Sequence, residues 1–265
     1  MNPINVHPDS TVTTLVHLYF GDTRLASGSG FFFVDNGVNY LITNWHNVTG
    51  RDPQSLKPIS PTAALPDRIA FFVCKKGVLG HWDEAKMPLY KTLGAAPRAP
   101  VWKEHKVHRH KIDVVAIPFS LPANSEIHPI NAPDRILDIK LGVSSDVFVL
   151  GYPKGISGEG VFPIWKRASV ATEPDIDLDG LPKMLIDTAT REGMSGAPVV
   201  AMTSGTYRDS KGNMNIGLGA SKIVGVYSGR LGDDEMQAQL GIVWKASVIE
   251  EIVREGIPGT NSFTL

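Results

Sequence analysis

The fold is indicated first by residues 28–43, which read Gly28-Ser-Gly-Phe-Phe-Phe-Val-Asp-Asn-Gly-Val-Asn-Tyr-Leu-Ile-Thr43. Two apolar runs rich in aromatic and branched side chains flank the segment Asp35-Asn36-Gly37, whose composition is typical of a tight hairpin turn. The stretch therefore predicts two antiparallel strands, Gly30–Val34 and Asn39–Thr43, joined by that turn.

Similar short apolar runs, separated by glycine and proline, continue along the 265-residue chain, which holds 26 glycines and 19 prolines. One segment, Ala246–Arg254, predicts a long helix, because Val248, Ile249, Ile252 and Val253 fall on one face before Gly256. Many short strands and one late helix favour an all-β sandwich or pair of barrels. The further predicted strands are Thr11–Phe20, Arg68–Cys74, Asp113–Phe119, Asp146–Leu150, Trp165–Thr172, Lys183–Asp187, Pro198–Met202, Lys222–Tyr227 and Leu240–Trp244.

Composition excludes several classes of protein. Hydrophobic residues make up 42% and charged residues 20%, which is ordinary for a globular chain, and the net charge of −1 favours neither nucleic acid nor an anionic membrane. No apolar run approaches the roughly 20 residues of a membrane helix, and the N-terminal segment has no pattern of a secretory signal. The single cysteine, Cys74, excludes an internal disulfide. We therefore expect a cytoplasmic protein with no nucleic-acid or membrane partner.

The chain divides into two strand-rich halves in this interpretation. Residues 121–141 contain Pro122, Pro129 and Pro133 and few long apolar runs, so they predict a connector between residues 8–120 and residues 142–256. Two long polar loops, at residues 51–66 and about 75–111, interrupt the first half; loops of this length are commonly functional or mobile.

The sharpest chemical motif is Arg191-Glu-Gly-Met-Ser-Gly-Ala-Pro-Val199. A serine between Gly193 and Gly196 indicates a tight turn that exposes its hydroxyl and gathers backbone N–H groups into an anion-binding concavity. On local sequence alone, a plain β-turn explains this segment equally well.

A serine nucleophile needs a base, which is usually histidine. All eight histidines precede Ser195, and this order argues against an α/β-hydrolase, whose histidine follows its serine. His46 comes at the end of an apolar strand, and Asp113 begins another, where an acid is costly to bury unless it is paired. Each residue alone could be structural, but the order His, Asp, Ser in three such settings favours a catalytic triad.

The chain resembles the trypsin/chymotrypsin-like serine peptidases, and most closely their disulfide-free, HtrA-like bacterial branch. The resemblance rests on motifs in the same order along the chain. They are Gly28–Val34, Tyr40–His46, Ile112–Ile117, Val147–Pro153, Gly193–Pro198, Ile223–Tyr227 and Gly241–Trp244.

The resemblance implies two six-stranded β-barrels followed by a C-terminal helix, with the active site between the barrels. It implies that His46 is the general base, that Asp113 orients it and that Ser195 is the nucleophile. The backbone N–H groups of Gly193 and Ser195 would form the oxyanion hole. The expected reaction is hydrolysis of a polypeptide substrate through an acyl-enzyme, with no metal or cofactor.

Substrate preference and regulation depart from the trypsin pattern. The expected floor of the specificity pocket, Ala189 and Thr190, is uncharged, so a small or medium uncharged side chain is predicted. The strand expected to bind the substrate backbone contains Val226, Tyr227, Ser228 and Gly229. Met194 stands where zymogens carry an aspartate, so we expect control by loop ordering or by a regulatory protein partner instead of proteolytic activation.

Two other functions stay open on the sequence: a latent or inactive binding module of the same fold, and an esterase using the same triad. Metal binding is not favoured. Residues 175–180 are similar to the start of a calcium loop, but the twelfth position is Ile186 instead of glutamate. The cluster His105, His108 and His110 is better explained as a solvated loop.

Overall fold

The computed structural model of the chain describes residues 5–92, 99–133, 137–231 and 239–260, apart from the side chains of residues 204 and 217–220. Its strands belong to two antiparallel sheets. The first comes mainly from the N-terminal half of the chain and also includes residues 257–258, and the second comes from the C-terminal half. Across the described ranges, no helix is both long enough and apolar enough to span a membrane.

The first sheet contains nine strands among the described residues, in the order β15-β6-β7-β3-β2-β1-β4-β5, with β8 paired to β4. Six of them are longer, and three two-residue strands extend the sheet at its margins. The longer strands are β1 (Thr13–Phe20), β2 (Thr23–Asp35), β3 (Val38–Thr43), β4 (Arg68–Lys75), β5 (Trp82–Pro88) and β7 (Val115–Phe119). The short strands are β6 (Lys103–Glu104), β8 (Ser125–Glu126) and β15 (Ile257–Pro258).

The second sheet is a closed six-stranded barrel, which leaves no unpaired sheet edge. Its strands follow the order β10-β11-β14-β13-β12-β9 around the barrel. Their bounds are β9 (Asp146–Gly151), β10 (Ile164–Val170), β11 (Lys183–Asp187), β12 (Pro198–Arg208), β13 (Met214–Arg230) and β14 (Leu240–Lys245).

Two α-helices accompany the sheets in the described residues: the short helix α1 (Trp45–Thr49), between β3 and β4, and α2 (Ser247–Glu255), after the barrel. The buried residues of α2 are Val248, Ile249, Ile252 and Val253, the four that the sequence placed on its apolar face. The predicted all-β architecture with a late helix is therefore confirmed.

All eleven predicted strands are present, and the hairpin that opened the sequence analysis has the expected geometry. Asp35 pairs with Val38, and the two turn residues between them, Asn36 and Gly37, have φ angles of 48° and 77°. Two consecutive left-handed residues are the mark of a type I′ turn, which asparagine followed by glycine favours.

The long loop expected near residues 75–111 contains two strands, β5 and β6. Strand β5 pairs with β4 on one side only, and as an edge strand it contains half-buried and exposed residues but no buried one. The polar sequence of β5 has no alternation of apolar and polar residues from which a strand could be predicted. Residues 93–98 of this loop and residues 134–136 of the predicted connector lie outside the described residues.

One core cluster is shared between the two halves. Buried side chains of the first sheet, among them Phe31, Ile42 and Val114, belong to the same cluster as Val226 and Trp244 of the barrel. The apolar face of α2 packs into this cluster as well. The loops that carry the candidate site residues therefore extend from sheets that rest on a common core.

Candidate active site

His46 is positioned by the short helix α1, which begins where strand β3 ends. Asn44 precedes the helix in an extended conformation, and Gly50 ends it with a left-handed φ of 64° while donating its N–H to the carbonyl of His46. A left-handed φ has a low conformational energy only for glycine, which has no Cβ. The side chain of His46 keeps 17% of its surface exposed, so its ring is partly open to solvent.

Asp113 lies just before strand β7 and is 1% exposed. Its Oδ2 accepts a hydrogen bond from Nδ1 of His46 at 2.6 Å, and its Oδ1 accepts from the backbone N–H of His46 at 2.8 Å. The Ser228 hydroxyl also donates to Oδ2, and the Asn44 side chain donates to the Asp113 backbone carbonyl at 2.6 Å. The buried carboxylate is thus satisfied, and it fixes both the orientation and the tautomer of His46.

The surroundings of His46 raise the pKa of its imidazole above 6.5. Burial alone would lower this pKa, because it disfavours the charged ring. The charge of Asp113 and its hydrogen bond outweigh the burial, and the charge of Asp52 adds a smaller contribution in the same direction. The site therefore stabilises the imidazolium form that a general base reaches during proton transfer.

Ser195 lies in the turn between Gly193 and Gly196, directly before strand β12. It lines a cleft of about 740 Å³ together with His46 and Gly193. In the conformation present, the Ser195 hydroxyl donates to the backbone carbonyl of Ser228 at 3.3 Å. The structure thus places His46, Asp113 and Ser195 at one place in the fold, although they are far apart in the sequence.

The backbone around Ser195 is arranged with its carbonyls bonded to other parts of the protein. The Glu192 carbonyl accepts from the N–H of Lys154 at 2.6 Å, and the Gly193 carbonyl accepts from the Ser29 hydroxyl at 2.7 Å. Within the described residues, the N–H groups of Gly193 and Ser195 donate to no protein atom. Because N–H and C=O point in opposite directions in a trans peptide, the Gly193 N–H points away from Lys154.

Both glycines of this turn are required by close contacts. Gly193 has a φ of 89°, and a Cβ there would lie 2.4 Å from the Tyr152 carbonyl oxygen. Gly196 has a φ of 87°, and a Cβ there would lie 2.1 Å from the Ser29 carbonyl oxygen. Any larger residue at either position would displace the turn.

The residues predicted to bind substrate take different positions. Ala189 is exposed, whereas Thr190 is buried and its hydroxyl bonds to the hydroxyl of Tyr227, which is also buried. Burial raises the pKa of Tyr227, so its hydroxyl stays protonated. Val226 is a core residue of the barrel, and Ser228 contacts Asp113 and Ser195.

Gly229, next to Ser228, has a φ of 145°. Strand β13 has an irregular register against β14 between Tyr227 and Gly229. At the predicted pocket floor, the Tyr227 side chain therefore lies against Thr190. The strand segment Val226–Gly229 runs beside Ser195.

Several polar side chains near the site were not singled out by the sequence analysis: Asn44, Asp52 and Lys154, together with Ser29 of the quoted Gly-Ser-Gly stretch. Their contacts join residues that are distant in sequence; the Ser29–Gly193 pair, for example, is separated by 164 positions. The glycines on both sides of Ser29 are the local signal that could have indicated a close approach of another backbone.

The other reactive side chains have partners of their own. His105 bonds to Glu251 at 2.8 Å, and Asp177 and Asp179 pair with Lys245 and Lys183. No group of three or more His, Cys, Asp or Glu side chains suited to a metal ion occurs in the described part of the chain. Cys74 is buried, and burial raises the pKa of its thiol to about 11, so it stays a neutral thiol near pH 7.

Comparison with known proteins finds similar structures but no similar sequences. No protein-family model and no curated protein sequence matches the chain. The serine endoprotease from Yersinia pestis superposes with a TM-score of 0.53 at 10% identity, covering 96% of this chain and 69% of that one.

The HtrA-type protease AlgW, solved with a tripeptide, superposes with a TM-score of 0.52 at 13% identity, covering 92% of this chain and 60% of AlgW. At such low identity the likeness establishes the architecture of the chain. The protein therefore has the chymotrypsin-like fold of the trypsin-like and HtrA-type serine proteases.

Proposed function

We propose that the protein is a serine endopeptidase in which Ser195 is the nucleophile, His46 the general base and Asp113 the residue that orients His46. The observation that carries the proposal is the 2.6 Å hydrogen bond from His46 to a buried Asp113, beside a cleft that Ser195 also lines. Such a pair supplies a base of fixed tautomer next to a hydroxyl, which is the requirement for activating serine.

In the proposed reaction the carboxylate of Asp113 keeps the proton of His46 on Nδ1, so that Nε2 can accept one. The Ser195 proton turns from the Ser228 carbonyl to Nε2 while Oγ attacks the peptide carbonyl carbon. The amine leaves with the proton from His46, and an acyl-enzyme ester remains. Water then passes a proton to His46 and attacks the ester, which releases the acid and restores the Ser195 hydroxyl.

The negative oxygen of the tetrahedral intermediate would be bound by the N–H groups of Gly193 and Ser195. Support comes from the carbonyls that share a peptide with these N–H groups, since that of Glu192 accepts from Lys154 and that of Met194 accepts from Ala197. The two N–H groups themselves lack protein acceptors in the described residues. Preorganised donors of this kind account for a large part of the rate in acyl transfer.

A polypeptide is the proposed substrate because the cleft beside Ser195, of about 740 Å³, is partly lined by apolar side chains. Leu18, Leu25 and Ile59 line it together with the exposed chain at Lys154 and Glu192. On the other side of Ser195, Val226–Gly229 would pair with the substrate backbone, and the uncharged Thr190–Tyr227 contact favours a small uncharged residue before the cleaved bond.

A latent binding module is the competing hypothesis. In the conformation present, the Ser195 hydroxyl is bonded to the Ser228 carbonyl and not to His46. Catalytic hydrogen bonds are commonly loose without substrate, so this contact does not weigh against turnover.

The test uses an alkyl fluorophosphonate, which modifies an activated serine. The wild type should be labelled at Ser195 and should cleave a peptide library, while Ser195→Ala should do neither. Asp113→Asn should bind peptide normally but lose about 10⁴-fold in kcat, because the amide favours the wrong tautomer of His46. A folded wild type that is neither labelled nor able to cleave any library member would refute the peptidase and favour the binding module.

A further inference from the structure

Ser29 is a fully buried polar residue at the junction of the two sheets. It lies in strand β2 of the first sheet, and its exposed fraction is 0%. A buried hydroxyl is costly unless both its donor and its acceptor capacity are used. Its partners therefore show what the hydroxyl does.

The partners of Ser29 belong to the turn around Ser195 and to the segment after β9. The hydroxyl donates to the Gly193 carbonyl at 2.7 Å and accepts from the N–H of Tyr152 at 3.1 Å. The backbone N–H of Ser29 donates to the Ser195 carbonyl at 2.8 Å. Since an amide N–H can only donate, the contact with Tyr152 leaves the hydroxyl proton for Gly193.

The bond to Gly193 fixes the peptide that joins Gly193 to Met194. The preceding peptide is fixed separately, because the Lys154 N–H donates to the Glu192 carbonyl. Lys154 belongs to the short turn Pro153–Gly155, which follows Tyr152 directly. Ser29 thus joins the turn at residues 152–155 to the turn at Ser195, and both peptides that flank the Cα of Gly193 have a defined direction.

The packing around Ser29 leaves little room for a different arrangement. A Cβ at Gly151 would lie 2.7 Å from the Ser29 hydroxyl oxygen, and the Thr43 hydroxyl donates to the Ser29 carbonyl at 2.8 Å. Removing the Ser29 hydroxyl would therefore deprive the Gly193 carbonyl and the Tyr152 N–H of a partner inside a close-packed region.

We propose that Ser29 is a positioning residue of the candidate site: its hydroxyl binds both the Gly193 carbonyl and the Tyr152 N–H, and so keeps Gly193 against the turn at residues 152–155. The Lys154 N–H of that turn then fixes the Glu192–Gly193 peptide, so that the Gly193 N–H stays free to bind the oxyanion. The inference rests on the proposed peptidase function and goes further by assigning control of the oxyanion hole to a residue of the opposite sheet. Ser29 acts only through the backbone and touches no reacting atom.

The first test compares Ser29→Ala with the wild type in steady-state peptide cleavage. Loss of one oxyanion donor costs about 10²- to 10³-fold in kcat, and partial disorder of Gly193 should cost about 10- to 100-fold, with KM changed by less than about threefold. The acid limb of the pH profile should not move, because the His46–Asp113 pair is untouched. A kcat within about twofold of the wild type would overturn the proposal.

Thr14→Val is the matched control. Thr14 is 1% exposed in strand β1, and its hydroxyl also donates to a carbonyl and accepts an N–H, both of Phe72, at 2.9 and 2.8 Å. It should lose stability without losing kcat. An equal fall of kcat in both variants would mean that Ser29 has only a structural role.

The second test needs no activity: crystal structures of the wild type and of Ser29→Ala would compare the Gly193 carbonyl. We expect the carbonyl to turn, or to occupy several orientations, in the variant. If the carbonyl turns but the wild type is inert, the peptidase proposal fails while the positioning by Ser29 stands. If the carbonyl keeps its direction in a variant of an active wild type, the positioning role fails alone.

Discussion

Asp52 is the second carboxylate whose charge acts on His46. It follows α1, and its Oδ1 accepts from the backbone N–H groups of Gln54 and Ser55 at 3.2 and 2.6 Å. Burial raises the pKa of Asp52 to a degree, but these hydrogen bonds and the positive character of His46 lower it overall. Asp52 is therefore ionised near neutral pH and adds negative potential at the imidazole.

The pH profile of peptide cleavage should depend on the charge of Asp52, because that charge raises the pKa of His46. In the proposed mechanism neutral His46 is the active form. Because its pKa is raised, half-maximal kcat/KM should lie above pH 6.5. Asp52→Asn removes the charge while an amide oxygen can still cap the turn, so the pKa of His46 should fall and the acid limb should move to lower pH.

The control is Asp22→Asn, which removes a 97% exposed carboxylate paired with Arg68. Its acid limb should coincide with that of the wild type. An Asp52→Asn profile that coincides with the wild type as well, or that moves to higher pH, would contradict the assigned effect of Asp52.

Individual site residues differ in how far the sequence could predict them. His46, Asp113 and Ser195 each lie in a motif that carries information by itself, namely a strand end, a buried acid and a glycine-flanked serine. The polar residue Ser29 lies in the quoted Gly28–Val34 motif, but its role depends on a carbonyl 164 positions away. No local pattern specifies such a pair, because it arises only when the two sheets pack.

Helix α2 stabilises the junction of the sheets through its apolar face. Ile252 is 0% exposed and belongs to the core cluster that both sheets share. At the last residue of the helix, Glu255 is exposed and lies 4.0 Å from Lys106. A buried and an exposed residue of the same helix can therefore be compared for their contribution to stability.

Ile252→Ala should lower the free energy of unfolding by about 2–5 kcal/mol, because it removes buried methyl groups and leaves a cavity. Glu255→Ala should change that free energy by less than about 1 kcal/mol, as is usual for exposed ion pairs. Urea titrations followed by circular dichroism would measure both values. Similar effects of the two substitutions would contradict the packing described for α2.

The elements that periodicity predicted are those long enough to show a pattern. Strands β3 and β12 each contain a run of consecutive buried residues, and the apolar pair Val248-Ile249 of α2 recurs one turn later as Ile252-Val253. The two-residue strands β6, β8 and β15 have no period to detect. They exist because a neighbouring strand offers hydrogen bonds, and only the assembled sheet determines where that happens.

The two sheets are held together by one buried cluster to which both contribute side chains. Phe31 and Val114 of the first sheet belong to one buried cluster with Val226 and Trp244 of the barrel. Neither half could keep this cluster covered if the other were unfolded. The two sheets should therefore lose their structure together.

We expect one cooperative unfolding transition. Trp45 and Trp102 are buried with the first sheet, and Trp244 is buried with the barrel. Tryptophan fluorescence and far-ultraviolet circular dichroism should therefore give the same midpoint in urea. Two separate transitions, or midpoints that differ between the probes, would show that the halves are independent.

The pairing of β15 with β6 has a consequence for biosynthesis. Ile257 bonds opposite Glu104, and the Gly259 N–H donates to the Trp102 carbonyl, so a margin of the first sheet is supplied by residues that follow the whole barrel. While the polypeptide is emerging from the ribosome, β6 has no neighbour on that side until residue 257 has been translated. The nascent N-terminal half therefore keeps an open sheet margin until synthesis has passed the barrel.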